Sequence, residues 1–301
     1  MRRRRSALWR SASRWMQEPA GKSQAPPGAS ERRGIAWRRG ALAPSVRMLA
    51  EECAIAVTYG RATHAVMLAT PTDLEDFAVG FSLSERVVAA PEEIAALAAV
   101  PVDAGIELRM DLVPERADLY AGRRRMMAGP AGCGLCGADS LQSAMPLLQR
   151  VAADLVLSPE QVLAAVASLD QAQRLNAETH GVHAAGFWMA GRRLVALRED
   201  VGRHNALDKL IGALARQAIA PARGVVAMTS RVSVELVQKV VHAGAPILVA
   251  MSAPSALAVR LADSLDLTLV AVARQDGFEI FSHPERIRAP RQRKHGSAPD
   301  P

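Results

Sequence analysis

The sequence predicts an α/β fold in which strands and helices alternate along the second half of the chain. Half of the 301 residues are hydrophobic, which is enough to bury a sizeable core. Aromatic residues make up only 4%, which favours closely packed α/β layers over an all-β sandwich. From residue 224 to residue 273, short apolar runs alternate with helical patterns. This order predicts a β-α-β-α-β run with right-handed crossovers and parallel strands.

The first half of the chain predicts a smaller α+β part. Three segments have strand patterns, at residues 52–59, 63–70 and 106–112. Gly60 separates the first two and predicts a tight turn or hairpin. Thr72 and Glu75 have the spacing of a capping box, so a helix is expected to begin there and run through Phe81.

The second half has clearer signals for the start and end of its elements. Ser158 and Pro159 suit the cap and the first position of a helix. Gly191 lies between two strand patterns and predicts a hairpin. The expected strands are 184–189, 193–198, 224–228, 246–250 and 267–273, and the expected helices are 203–214, 232–243 and 255–264.

The formal net charge of +7 belongs to the N-terminal segment. The first 40 residues contain eleven basic and two acidic residues, whereas the rest of the chain sums to −2. The near-neutral body therefore does not predict nucleic-acid binding. Residues 1–44 are interpreted as a solvated, disordered tail. The basic run from Arg286 to Lys294 is interpreted in the same way, with a disordered tail at 289–301.

Two further interpretations of the N-terminal segment are a transit peptide and a membrane-surface helix. A twin-arginine export signal is not expected, because no apolar segment of about 7 to 15 residues follows the arginines. Residues 240–259 are an uncharged stretch of membrane-spanning length, but Gly244, Pro246 and Pro254 interrupt it. No membrane partner is expected. Three cysteines exclude a secreted scaffold held by several disulfides and favour a reducing compartment, the cytoplasm.

A candidate binding site follows the ends of the three predicted parallel strands. We call residues 229–231, 252–255 and 274–277 the rim. Ligands of such sheets bind outside the carboxyl ends of the strands. Two of these turns begin helices, whose free amides attract phosphate, and hydroxyl groups and cations lie beside them. The residues expected to bind a phosphate or diphosphate there are Ser230, Arg231, Ser252 and Arg274. The alternative is that the rim serines only cap helices.

The sharpest chemical motif is the segment GCGLCG at 132–137, which contains Cys133 and Cys136. Its glycines allow a ligand or another chain to approach the sulfur atoms. The nearby arginines 123–125 favour the reactive thiolate. Three chemistries fit the pair: a zinc site, a redox dithiol, and sulfur transfer through a persulfide. From the motif alone, a zinc site and a redox dithiol rank above sulfur transfer.

A zinc site would need two further ligands, which His180 and His183 could supply. The zinc deaminase arrangement is excluded by order, because it places HxE before PCxxC. Here HxE occurs only at His283, downstream of both cysteines.

Several segments together resemble one family. They are CGLCG at 133–137, HAAGF at 183–187, REDVGRHNALDKLIG at 198–212, SRVSVELVQK at 230–239 and PILVAMSAPSALAVRLA at 246–262. Over roughly residues 45–288 the chain resembles the FdhD family of formate dehydrogenase accessory sulfurtransferases. The resemblance implies an N-terminal part at 45–150 that carries the CxxC loop. It also implies a cytidine deaminase-like main domain at 151–288 without zinc chemistry.

The resemblance implies a sulfur carrier. Sulfur would come from a cysteine desulfurase and go to Mo-bis(molybdopterin guanine dinucleotide), which formate dehydrogenase needs. Cys133 would carry the persulfide and Cys136 would assist. A homodimer and the absence of a tightly bound metal are also implied. The stretch aligned with the family's cofactor-binding segment comprises Val272, Ala273, Arg274, Gln275, Asp276 and Gly277.

Two positions depart from the family pattern. His180 stands where the family usually has glycine, and Val272 where an aromatic residue is common. His204 lies at a predicted helix start in a dense polar cluster, and we expect it in the binding site. Asp200 is expected to cap that helix. The alternative function is a zinc- or thiol-dependent chaperone that binds the cofactor without transferring sulfur.

Overall fold

Three β-sheets, of six, four and two strands, form the framework of the described part of the chain. The structure is a computed structural model that describes residues 26–126 and 148–288. Its strands are β1 (Ala29–Arg38), β2 (Ala41–Ala50), β3 (Cys53–Tyr59), β4 (Ala62–Ala69), β5 (Ile94–Val102), β6 (Gly105–Leu112), β7 (His183–Met189), β8 (Arg193–Asp200), β9 (Val225–Met228), β10 (Ile247–Ala250), β11 (Thr268–Arg274) and β12 (Gly277–Ser282). Its helices are α1 (Leu74–Ser84), α2 (Pro114–Met126), α3 (Pro159–Ala172), α4 (Arg174–Thr179), α5 (Arg203–Arg216), α6 (Val234–Ala243) and α7 (Ala256–Ser264).

The six-stranded sheet confirms the predicted β-α-β-α-β run. Its strand order is β12-β11-β10-β9-β7-β8, and β9, β10 and β11 are parallel neighbours. The hairpin β7–β8 and the strand β12 extend this parallel centre with antiparallel pairs. Apolar residues of α5, α6 and α7 share one core cluster with one face of the sheet, and α3 packs on the other face. The sheet is therefore mixed, and its cytidine deaminase-like character stays a prediction.

The uncharged segment 240–259 belongs to this sheet and to the helices that cover it. It forms the end of α6, the buried strand β10 and the beginning of α7. In the part of the chain that the structure describes, no helix is long and apolar enough to cross a membrane.

The four-stranded sheet belongs to the N-terminal part. Its order is β4-β3-β6-β5, and the predicted hairpin around Gly60 is confirmed as β3–β4. Ile55, Val57 and Leu108 are fully buried on the face that packs against α1. The strand β5 was not predicted, because its alanines and Pro101 carry little strand signal.

The helices α1 and α5 cross at two glycines, and this crossing joins the two halves of the molecule. A Cβ atom on Gly80 would lie 1.7 Å from the carbonyl oxygen of Asp208. A Cβ atom on Gly212 would lie 1.9 Å from the carbonyl oxygen of Asp76. The contact is reciprocal, since each glycine lies four residues after the aspartate whose backbone touches the other glycine. Any side chain at either position would force the helices apart.

The same two aspartates bind cations next to the crossing. Asp76 lies 2.6 Å from Arg198 and 2.6 Å from Arg216. Asp208 is fully buried and lies 2.6 Å from Lys239. Unpaired charges would be costly at such buried positions, so these pairs fix the helix crossing in one arrangement.

Three expectations about local structure are corrected. Residues 29–44, assigned to the disordered tail, belong to the hairpin β1–β2, whose strands pair over ten residues each. Thr72 does not cap α1, because Asp73 is the N-cap residue, in a left-handed conformation and without a side-chain cap bond. Arg286, assigned to the solvated C-terminal run, donates hydrogen bonds to the carbonyl oxygens of Ala153 and Asp266. Residues 1–25 and 289–301 lie outside the described residues, and the division at residue 150 stays a prediction.

We expect Gly212→Ala to destabilise the protein by about 3 kcal/mol, because its methyl group would overlap the backbone of α1. The matched control is Gly122→Ala in α2, where no described atom lies within 4 Å of the added Cβ. That control should stabilise the protein by about 0.5 to 1 kcal/mol, since alanine favours helix. Urea unfolding measures both. Equal stabilities of the two variants would contradict the close crossing.

Candidate functional site

The rim forms at the carboxyl ends of β9, β10 and β11, as the sequence predicted. Two of its turns are joined by backbone hydrogen bonds. The amide of Val232 donates to the carbonyl oxygen of Ala253 (3.3 Å), and the amide of Ser255 donates to the carbonyl oxygen of Val232 (2.9 Å). These turns lead into α6 and α7 respectively. The rim therefore presents the amino ends of two helices side by side, an arrangement that favours anions.

The rim serines have different roles. Ser255 is the N-cap residue of α7, and its hydroxyl accepts a hydrogen bond from the amide of Ala258. Ser230 is buried, and its hydroxyl donates to the carbonyl oxygen of Arg231 at 3.0 Å. Ser252 is half-buried, and its carbonyl oxygen accepts a hydrogen bond from Val272 at 3.3 Å. The helix-cap interpretation is thus confirmed for Ser255, whereas Ser230 and Ser252 cap neither helix.

The third rim segment differs from the expected turn. Val272, Ala273 and Arg274 belong to β11, and only Gln275 and Asp276 form the turn before β12. The segment therefore begins an antiparallel strand and supplies no helix amides. Ala273 is fully buried, so it can offer a ligand no side-chain surface.

The backbone is irregular where β11 reaches the rim. Val272 has a φ of +53° within a β-bulge between Ala271 and Arg274. A left-handed conformation is rare for a β-branched residue and costs about 1 to 3 kcal/mol, and such strain often lies at functional sites. The guanidinium of Arg274 donates to the carbonyl oxygens of Met251 and Ala273. Arg274 therefore ties this strand to the neighbouring rim turn while its side chain stays exposed.

Two residues outside the predicted set, His183 and Arg203, lie beside the rim. Burial lowers the pKa of His183, and the positive charges of Arg203 and Arg231 lower it further. The start of β7, the start of α5 and the turn after β9 therefore come together. Both residues lie in segments that carry the family resemblance, HAAGF for His183 and GRHN for Arg203. The sequence suggested His183 as a zinc ligand and Arg203 as a residue at a helix start that could donate to phosphate.

His204 lies in the first turn of α5. Burial, with the charges of Arg203 and Lys239, lowers its pKa to about 4, so the imidazole is neutral at pH 7. Its Nε2 atom is buried and has no hydrogen-bond partner among the described residues. The Nε atom of Arg203 is in the same situation. Two buried nitrogens at the amino end of α5 therefore lack a hydrogen-bond partner among the described residues, which is uncommon for buried polar groups.

Asp200, Asn205 and Lys209 form a structural network behind these residues. Lys209 and Asp200 are fully buried, 2.7 Å apart. Asp200 also accepts hydrogen bonds from the amides of Thr70 and Gly202. The side chain of Asn205 donates to Asp200 and to the carbonyl oxygen of Leu68. The expected cap at Asp200 is corrected, because Gly202 is the N-cap residue of α5 and Asp200 pairs with a buried lysine.

The cysteine motif lies outside the described residues, so the positions of Cys133 and Cys136 and their distance from the rim stay predictions. Residues 148–153, which follow the motif, lie near the carboxyl end of α6, whereas the rim lies at its amino end. A cavity of about 670 Å³ there is lined by residues that include Arg86, Leu148, Val151, His242 and Gly244.

Cys53 is the one cysteine within the described residues. It begins β3 and is half-buried, and burial raises the pKa of its thiol. Because a neutral thiol is a poor nucleophile, we expect Cys53 to be inert. His180 ends α4 in a left-handed conformation. Within residues 26–126 and 148–288, no group of three His, Cys, Asp or Glu side chains could hold a metal ion.

We expect His204→Gln to reduce the loss of stability on acidification. The pKa of His204 is about 4 in the folded chain against 6.5 in a model peptide, so the folded state disfavours protonation. Its contribution is present above about pH 6.5 and is lost as the pH falls toward 4, by up to about 3 kcal/mol. Urea unfolding of both proteins at pH 7 and at pH 5 measures the difference. Parallel pH dependences would show that His204 is not held neutral.

Comparisons with known proteins identify the family of this chain. A family model described as the FdhD/NarQ family matches residues 50–288. The sulfur carrier protein FdhD of Agrobacterium fabrum is 48% identical over 257 residues, which cover 84% of this chain and 93% of that protein. The sulfur carrier protein FdhD of Brucella abortus is 51% identical over 254 residues, which cover 84% of this chain and 94% of that protein.

A crystal structure named as a formate dehydrogenase accessory protein from Desulfotalea psychrophila is similar to this fold. Its TM-score is 0.69 at 26% sequence identity, and the match covers 87% of this chain and all of the other. The family match and the curated relatives each span most of the chain. The chain therefore belongs to the FdhD/NarQ family.

Proposed function

We propose that this chain is a sulfur carrier that accepts sulfur from a cysteine desulfurase as a persulfide on Cys133. It delivers that sulfur to Mo-bis(molybdopterin guanine dinucleotide), the cofactor that formate dehydrogenase requires. The observation that carries the proposal is the identity, at about half of the aligned positions, to relatives named sulfur carrier proteins. The CGLCG segment supplies the chemistry that such a role needs.

The sulfur chemistry needs only two neighbouring thiols and an external thiol reductant. The Cys133 thiolate attacks the outer sulfur of the desulfurase persulfide, whose S–S bond breaks and releases the desulfurase thiolate. Once the cofactor is bound, the Cys136 thiolate attacks the inner sulfur of the Cys133 persulfide. A Cys133–Cys136 disulfide forms, and hydrosulfide leaves toward the cofactor. A thiol reductant afterwards restores both cysteines.

The rim is the proposed binding place for the guanine nucleotide part of the cofactor. The amino ends of α6 and α7 and the guanidinium groups of Arg231 and Arg274 suit the charge of a diphosphate. His204 supports this placement, since a neutral imidazole can donate or accept a hydrogen bond beside an anion. We also propose that the protein acts in the cytoplasm and forms a homodimer.

Incubation with a cysteine desulfurase and cysteine should add one sulfur atom to the intact mass of the protein. Cys133→Ala should abolish this gain, because the accepting thiolate is removed. Cys53→Ser is the matched control and should keep the gain, since burial disfavours the thiolate of Cys53.

A gain that persists in Cys133→Ala would overturn the assignment of the carrier. No gain in the native protein, together with one tightly held zinc per chain that Cys136→Ala removes, would instead favour the cofactor-binding chaperone.

Arg274→Ala should weaken the binding of GDP by about 1.5 to 3 kcal/mol, roughly the contribution of one charge-assisted contact. Arg223→Ala is the matched control, because Arg223 is exposed and precedes β9, at the opposite end of the strand from the rim. Calorimetry on the native protein and both variants measures the affinities. Equal affinities in all three would place the nucleotide away from the rim.

A further inference from the structure

The amino ends of α5 and α6 bring three polar side chains together. Arg203 and His204 begin α5, and Glu235 is the second residue of α6. One turn further along both helices, Lys239 donates to the two carboxylate oxygens of Asp208, at 2.8 Å and 2.6 Å. Side chains four residues apart share one face of a helix, so His204 shares a face with Asp208, and Glu235 with Lys239. His204 and Glu235 therefore lie on the facing sides of the two helices.

The charges of these residues act on one another, as expected for close neighbours. Burial lowers the pKa of His204 most strongly, the charge of Arg203 lowers it further, and the charge of Glu235 raises it. Burial raises the pKa of Glu235, but hydrogen bonding by Ser233 and by its own amide brings it below its usual value. The charges of His204 and Arg203 act in the same direction. Glu235 is therefore an ionised, half-buried carboxylate beside the imidazole.

The carboxylate of Glu235 does not satisfy the nitrogens beside it. The Nε atom of Arg203 and the Nε2 atom of His204 are buried and have no hydrogen-bond partner among the described residues. Buried nitrogens are normally hydrogen-bonded, so these two indicate a place for a bound group. The Nε atom of Arg203 can only donate, Nε2 of a neutral imidazole donates in one tautomer, and an ionised carboxylate can only accept. A ligand that fits has a carbonyl oxygen next to N–H groups.

The rim suits the diphosphate of the proposed nucleotide and leaves its base without a partner. Burial lowers the pKa of His183, and the charges of Arg203 and Arg231 lower it further, so His183 is close to both the start of α5 and the rim. A nucleotide whose diphosphate lies at the rim can therefore extend its base past His183 toward Glu235.

We infer that Glu235 recognises a 2-amino-4-oxopyrimidine edge, which guanine and the pterin of the same cofactor share. Its carboxylate accepts hydrogen bonds from the ring N–H and the amino group, and the carbonyl oxygen of the edge accepts from Arg203 and His204. Adenine does not fit, because its amino group stands where guanine has the carbonyl oxygen and would face two donors. The inference rests on the proposed nucleotide site and adds the residue that determines its specificity.

An acidic residue in the first turn also stabilises a helix, and a second glutamate in this chain has that role alone. Glu160 is the second residue of α3 and follows the N-cap residue Ser158, just as Glu235 follows Ser233. Hydrogen bonding by Ser158 and by its own amide lowers the pKa of Glu160. Glu160 is exposed, on a helix that packs on the other face of the six-stranded sheet. It is therefore the matched control for Glu235.

Calorimetry with GDP and with inosine diphosphate, which lacks the amino group, tests the native protein first. GDP should bind at least about 10-fold more tightly, because the carboxylate is left unsatisfied by inosine diphosphate. Glu235→Gln should reduce this preference to about threefold or less, since the ionised acceptor is removed. Glu160→Gln should keep the native preference.

Xanthosine diphosphate provides a gain of binding that a purely structural role of Glu235 would not produce. It carries a carbonyl oxygen where GDP has the amino group, so it should bind the native protein at least about 100-fold more weakly than GDP. The amide group introduced by Glu235→Gln can donate to that oxygen. The variant should therefore bind xanthosine diphosphate about 10-fold more tightly than the native protein does.

A pterin without phosphate, 6-hydroxymethylpterin, separates the two sources of the edge. Weaker GDP binding by Glu235→Gln assigns the edge to guanine, whereas weaker pterin binding with unchanged GDP binding assigns it to the pterin. The inference is overturned, and the proposed nucleotide site kept, if GDP binds but Glu235→Gln alters neither its preference over inosine diphosphate nor the binding of the pterin. A native protein that binds no GDP would overturn the nucleotide site itself, and this inference with it.

Discussion

The reciprocal contact between α1 and α5 is the constraint on which the rest of the structure depends. Gly80 and Gly212 let the two helices approach until each touches the backbone of the other. The aspartates one turn earlier, Asp76 and Asp208, then bind cations on both sides of the crossing. Because α1 covers the four-stranded sheet and α5 covers the six-stranded sheet, this crossing sets the position of one sheet relative to the other.

The buried pair of Lys209 and Asp200 extends this constraint to the rim. Lys209 donates to the carbonyl oxygen of Thr70, and Asp200 accepts from the amide of the same residue. Two charges without solvent contact are tolerated only when every polar group around them is satisfied, so the pair allows one geometry. That geometry fixes the start of α5. Arg203 and His204 are thereby held near the start of α6 by the buried charges behind them.

The end of β11 has a strained backbone that hydrogen bonds hold in place. Val272 keeps a left-handed conformation because its amide is bound to Ser252 and the flanking bulge is fixed by Arg274. Val272 offers no aromatic ring for stacking. For the proposed nucleotide site, the rim therefore offers helix amides and cations, which suit the charged part of a nucleotide better than its base.

The sequence by itself determined the elements whose signals are local. Ser158 with Pro159 and Ser255 mark the starts of their helices, because capping depends on residues within one turn. The cysteine motif is likewise recognised from the spacing of Cys133 and Cys136 alone. Only the tertiary structure decided the burial of Lys209 against Asp200 and Thr70, because these residues are far apart in the chain. The hairpin β1–β2 is local, and the basic composition of its segment led to the interpretation as a tail. Lys209 and Thr70 lie in different halves of the chain, so no local sequence pattern predicts their contact.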